Sequence, residues 1–289
     1  MFNKNLNFTG LVTAGMVMAT LAMAAPAGAA QSIDAPVAPN AFTLDGKTDD
    51  WKGIKGTTVA LKGDGGVSSV MIKFAVHGDM IYVLAEWADS TQDVLHKPYK
   101  WDAGSQSYKK TKDMEDRFAI TLKMSGNFSA SKIDGSVFTA DVWHWKASRS
   151  NPMGLAHDKH WIVSDKPVKK AKKFTTPDGK TVYVRRKSDK GSRLYKPTRY
   201  DVKQKDVMPR YKLNMSPTGS IADVKAKGVW RDGRWYLEMA RKLNTGNADD
   251  AVISAKGSIE IAIAAFNAVD GRKHSTSEKL ILNTGMPGS

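Results

Sequence analysis

The chain has no cysteine in its 289 residues. That excludes disulfides and thiolate metal sites, so a packed core must hold the fold. It also lacks a convincing amphipathic helix longer than three turns, a phosphate-binding glycine loop, a nucleophile motif and a carboxylate pair whose spacing singles it out. Acidic residues are scarce: 29 Asp and Glu stand against 44 Lys and Arg, for a formal net charge of +15. Long apolar runs are scarce too. The run from about Leu11 to Ala24 follows an early lysine, has no acidic neighbour and leads into Ala27-Gly28-Ala29-Ala30. It is too short for a membrane helix, and no stop-transfer pattern follows it. Residues 1–30 therefore read as a secretory signal, which implies a periplasmic mature chain without a transmembrane segment. Residues 31–40 read as an N-terminal linker and 41–285 as one domain large enough to bury its own core.

The basic surplus is local. Seventeen Lys and Arg against four Asp fall between Lys166 and Lys212, inside an expected insertion at about 163–215. That stretch holds Lys169-Lys170-Ala171-Lys172-Lys173, the turn signal Pro177-Asp178-Gly179, a short Thr181-Val182-Tyr183-Val184 strand and Arg185-Arg186-Lys187. It reads either as a solvated basic loop or as a docking surface for an acidic protein or an anionic envelope polymer. An exported address argues against nucleic acid as the partner.

Elsewhere the period is that of strands. Val70, Ile72, Phe74 and Val76 alternate with polar or small residues, Gly78-Asp79 turns the chain, and Met80 to Trp87 returns. Phe118, Ile120, Leu122 and Met124 alternate. Trp230 and Trp235 flank the turn Arg231-Asp232-Gly233-Arg234, and Ile259, Ile261, Ile263 and Ala265 alternate again. Short strands at this spacing predict an all-β antiparallel sandwich, immunoglobulin-like in architecture, with the basic insertion added.

The segment from Asp141 to Pro152 packs two indoles, an imidazole and two cations into twelve residues. As a strand, Val142, His144 and Lys146 form one face and Trp143 and Trp145 the other. The tryptophans read equally well as core and as the lining of a binding site.

Several elements recur in a known order: Leu44-Asp45-Gly46-Lys47-Thr48-Asp49-Asp50-Trp51, Trp87-Ala88-Asp89-Ser90-Thr91, Glu115-Asp116-Arg117, the Trp143-to-Ala147 segment, and Trp230-x-Asp232-Gly233-x-Trp235 with Arg241-x-Leu243. Together they resemble the haem-binding domain related to the γ subunits of ethylbenzene and dimethylsulfide dehydrogenases, over roughly residues 40–285. The resemblance implies a β-sandwich akin to family 9 carbohydrate-binding modules. It further implies one non-covalent haem b and electron transfer beside iron–sulfur and molybdenum subunits, in a subunit that is not itself a catalyst. Covalent c-type haem is excluded by the missing cysteines.

In that family a methionine and a lysine ligate the iron. The lysine slot falls on Lys273, within Gly271-Arg272-Lys273-His274-Ser275, and His274 beside it is a competing ligand. Ungapped counting puts Thr121 in the methionine slot, so Met124 substitutes only across a bulge or shift, and Met114 is a weaker alternative. His144 and His96 are the other candidates for the second ligand. Trp143 and Trp145 would line the pocket, while Lys146, Arg149 and Arg272 would pair with the propionates. His157 and His160 carry a weak i, i+3 metal signal. The alternative function is a haem-free module for carbohydrate or anionic envelope polymer, with Trp51, Trp87 or Trp101 as exposed stacking platforms.

Overall fold

The computed structural model describes residues 30–270 and 273–286; the expected signal segment and Arg272 lie outside the described residues. Among the described residues, thirteen main strands build two facing sheets: β1 (Gln31–Pro36), β2 (Thr57–Ala60), β3 (Ser69–His77), β4 (Met80–Ala88), β5 (Arg117–Gly126), β6 (Phe138–Lys146), β7 (His157–Ser164), β8 (Lys172–Thr175), β9 (Thr181–Ser188), β10 (Lys225–Arg231), β11 (Arg234–Lys242), β12 (Gly257–Phe266) and β13 (Leu280–Met286), and the two-residue strands Lys62–Gly63 and Ser275–Thr276 join the larger sheet. The large sheet runs β1-β13-β12-β5-β6-β7-β9-β8 and the smaller one β10-β11-β4-β3-β2. Every pairing along these two paths is antiparallel except that of β1 with β13.

The alternating apolar residues face each other between the sheets. Phe74 and Ile72 of β3, Phe118 and Ile120 of β5, and Ile261 and Ile263 of β12 share one buried cluster with Trp87, Trp143, Trp145 and Trp235. Trp87 stacks on Phe118 with centroids 5.4 Å apart, and Trp145 meets Trp235 edge-on at 4.9 Å. Each ring of this size removes roughly 150–250 Å² from water, about 4–6 kcal/mol of transfer free energy before chain entropy is subtracted. Four buried indoles at one crossing supply what disulfides would supply elsewhere.

The termini depart from expectation. Residues 31–36 form β1 rather than a linker, with Ile33 and Ala35 in the core and a parallel ladder to β13. Two apolar residues in six give little local pattern, and the strand exists because the chain's far end lies beside it. The insertion also departs. Its first half is the β8–β9 hairpin, which extends the large sheet, with Gly179 at φ +82° in the turn and Val184 packed beside Phe138 and Val163. Its second half folds back, with Leu194 and Ile221 buried against Leu155, and Val207–Met208 pairs with Tyr99–Asp102.

Gly228 lies where the sheets approach most tightly. A Cβ there would stand 2.4 Å from Cζ2 of Trp145. That ring cannot retreat: Trp145 is wholly buried, and its Nε1 donates to Asn151 Oδ1 at 3.0 Å, while the same oxygen accepts from Gly228 N at 2.7 Å. Gly228→Ala should therefore destabilise the domain by about 1–3 kcal/mol through overpacking. Guanidinium unfolding would show a lower midpoint at unchanged m-value.

Candidate functional site

β6 is buried on both faces. Its odd residues Asp141, Trp143 and Trp145 face the inter-sheet core, and its even residues Val142, His144 and Lys146 lie on the outer side of the large sheet. Register carries that outer side across neighbours: His144 pairs with Ala119 of β5, Ala119 with Ala264 of β12, and Ala264 with Thr276. One row on, Thr121 pairs with Ala262. Small side chains on adjacent strands leave a low floor, and over it lies an open cleft of about 230 Å³.

His144, Phe266 and His274 line one part of the cleft, and Lys159 and Trp161 of β7, Arg186 of β9 and Lys132 of the β5–β6 loop line another. The three rings form a tilted stack. Phe266 is 5.8 Å from His144 and 5.6 Å from His274, centroid to centroid, with interplanar angles of 24° and 27°. Nε2 of His144 is buried with no hydrogen-bond partner. Burial, and then the charge of Lys146, hold its pKa well below the usual histidine value, so the ring stays neutral and one of its nitrogens keeps a lone pair for a metal.

Arg117, Lys132, Lys159 and Arg186 all line the cleft, and no Asp or Glu does. Burial, reinforced by Arg186, lowers Lys132 to about 7 and Lys159 to about 8, and burial lowers Arg117 to about 10. Lys132 Nζ lies 4.2 Å from the Trp161 ring centroid and the Arg186 guanidinium 5.6 Å from it. Cations gathered at an open cleft, half-buried at Lys132 and Lys159 and exposed at Arg186, with no acid among the described lining residues, suit an anionic ligand with an apolar body.

The structure sorts the residues expected from sequence. His144 and His274 meet at the cleft, and Thr121 faces it. Met124 is the unpaired residue at the register shift between Lys123 and Ser125 and packs against the inter-sheet core instead. Lys273 is exposed and not part of the lining. Trp143 and Trp145 are core, because the parity of β6 that sends His144 out sends them in. Lys146 is buried with Nζ 2.7 Å from His157 Nδ1, beneath Tyr195. Arg149 pairs with Glu115, whose Oε2 also accepts from the backbone N–H of Ser148 and Arg149 at 2.7 and 3.0 Å. His157 and His160 lie on opposite faces of a strand, so their spacing makes no joint site. Trp51 and Trp87 are wholly buried, and the half-buried Trp101 packs edge-on with Tyr108, so none of the three offers a flat exposed platform.

Sequence reasoning missed Lys132, Lys159, Trp161, Arg186 and Phe266 as cleft residues. The parity of β12 marks Phe266 as opposite to Ile263, but nothing local announces which strands would be neighbours.

A family model described as Ethylbenzene dehydrogenase matches residues 41–278. A family 9 carbohydrate-binding module from Caldicellulosiruptor kristjanssonii in complex with glucose is similar over 89% of this chain and 97% of its own, at 10% identity and a TM-score of 0.39. The module from the same organism in complex with cellotriose covers 89% of this chain and 95% of its own, at 11% identity and 0.39. No curated protein matches the sequence.

His96, a candidate ligand by sequence, lies outside the cleft with Nδ1 3.2 Å from Glu115 Oε1. That carboxylate is already held by Arg149 and two backbone N–H groups, and no hydrogen bond forms to the imidazole. Burial, and then Arg149, hold the His96 pKa down to about 3 against 6.5 in the ordinary state. The unfolded chain therefore takes up a proton that the folded one refuses, and stability falls as pH drops below 6.5. His96→Gln should flatten the loss of stability between about pH 7 and 4 relative to the parent, measured by urea unfolding across that range.

Proposed function

The chain belongs to the ethylbenzene dehydrogenase family, and from that premise we propose that it holds one haem b non-covalently in the outer cleft and passes electrons beside a larger oxidoreductase. The observation that carries this reading is the donor set. Two imidazoles and four cations line one apolar-floored cleft from which carboxylates are absent. Haem needs a neutral nitrogen ligand for iron, an apolar slot for the ring and cationic partners for two propionates, and these residues fit all three.

His144 and His274 are the ligands this chain offers. Phe266 lies between their rings, so it is the side chain that has to turn aside before both can reach one iron. The alanine floor leaves room for a flat body, while Arg117, Lys132, Lys159 and Arg186 would face carboxylates and regain the charge that burial weakens. Bound there, haem supplies reversible one-electron chemistry, and the protein contributes ligation, orientation and exclusion of water.

On this reading the protein is an electron-transfer subunit or carrier rather than a catalyst, working in the periplasm after export. Molybdenum and iron–sulfur subunits are the partners proposed for it. The basic insertion suits an acidic protein surface: Lys169, Lys172, Lys173 and Lys187 lie along the β7-to-β9 region.

Purified protein should take up one equivalent of haemin and give a sharp Soret band, with resolved α and β bands after dithionite reduction. His274→Ala and His144→Ala should each abolish that low-spin spectrum or weaken haem affinity at least about tenfold, whereas Lys273→Ala should leave both unchanged. Loss of the spectrum in Lys273→Ala alone would return the ligand role to the lysine. Failure of the parent protein to bind haem would sink the reading.

A further inference from the structure

The strands that carry the cleft on their outer side hold a second constellation on their inner side. Asp141 of β6, Asp158 of β7 and Asp250 of the loop between β11 and β12 each offer a carboxylate oxygen, all within 4.8 Å of one another. Their relative exposures are 0, 0 and 5%. Antiparallel register explains the first two: His160 pairs with Asp141 and Asp158 with Trp143, so the two aspartates are diagonal neighbours on one face. Arg241, near the end of β11, reaches across from the other sheet to place the third.

One oxygen of each carboxylate is accounted for. Asp141 Oδ2 accepts from Ala251 N at 2.9 Å and from Arg241 Nη1, Asp158 Oδ1 from Lys159 N at 3.0 Å, and Asp250 Oδ2 from Thr245 Oγ1 at 2.5 Å. The other oxygen of each, Asp141 Oδ1, Asp158 Oδ2 and Asp250 Oδ1, is buried and receives no hydrogen bond. A carboxylate oxygen left without a donor in the interior carries a desolvation penalty that nothing repays. Three such carboxylates in one cluster call for a partner that supplies positive charge.

The charge balance gives its sign. Arg241 is the one cation paired within the cluster, while Asp189, buried close by with its own Oδ2 unpartnered and His160 at 3.0 Å from its Oδ1, adds to the negative side, so the surplus is negative and a divalent cation would offset it. The donors are oxygens alone, which is the preference of a hard ion. Asp250 comes from a loop, and calcium accepts six to eight oxygen ligands at variable angles. Magnesium would demand strict octahedral geometry and retained water. We propose that Asp141, Asp158 and Asp250 bind a calcium ion that fastens the β11–β12 loop to β6 and β7. The site does not depend on the haem reading, since it lies on the opposite face of β6 and β7.

The test uses the purified chain stripped with EGTA. Calcium chloride alone should bind with one-to-one stoichiometry in calorimetry and raise Tm by about 5–10 °C at a hundredfold excess over Kd. Magnesium at the same concentration should give a much smaller shift. Asp158→Asn should lose the calcium response yet melt, without calcium, at or above the stripped parent, because it removes one uncompensated buried charge. That pattern separates a lost ligand from a damaged fold. No calcium-dependent shift in the parent, an equal response to magnesium, or an undiminished response in both Asp158→Asn and Asp250→Asn would each overturn the proposal.

Discussion

The structure depends on one strand being buried on both faces. β6 lies in the middle of the large sheet, and its period of two assigns Asp141, Trp143 and Trp145 to the inter-sheet space and His144 and Lys146 to the outside. A slip of one residue would exchange the two sets, placing indoles in the cleft and a lysine in the core. Such a slip is resisted from both sides. Trp145 is fitted against Gly228 of the facing sheet and hydrogen-bonded to Asn151, while Asp141 is paired with Arg241 across the sandwich.

The pairing of Arg241 with Asp141 locks the position rather than adding much net stability. Taking both charges out of water costs nearly what their attraction returns, but breaking the pair would leave an uncompensated charge in the core. The Arg241 guanidinium also lies 4.9 Å from the Trp143 ring centroid and donates to Ala251 O. It thus ties β11, β6 and the β11–β12 loop together at one point. On the outer side the basic insertion brings Arg186 of β9 to the cleft, and away from the cleft its Tyr195 and Tyr211 flank the Arg149 guanidinium. A segment that stands out in sequence only by its charge is structurally an extension of the sheet.

Family membership and the geometry of the cleft bear on function in different ways. Membership gives the family, and the oxidoreductase partner proposed above rests on it. The cleft says which side chains can meet a ligand, and it shifts attention from Lys273 to His274 and from Met124 to His144. That shift has a simple origin: the bulge that follows Lys123 does not turn Met124 outward, and the residue at the outward position is Thr121, which cannot ligate iron usefully.

Local pattern alone determined the sandwich and its principal strands, because alternation of apolar and polar residues is written in adjacent positions and needs no partner to be read. The same holds for His144 being opposite to Trp143 and Trp145. What only the tertiary structure decided is which strands became neighbours. That choice made 31–36 an edge strand beside β13, put Lys132, Lys159, Trp161 and Arg186 around one cleft with His274, and gathered Asp141, Asp158 and Asp250 from three separate elements. Those groupings rest on register and on the crossing of two sheets, which arise from core burial summed over the whole chain and leave no mark at any single residue.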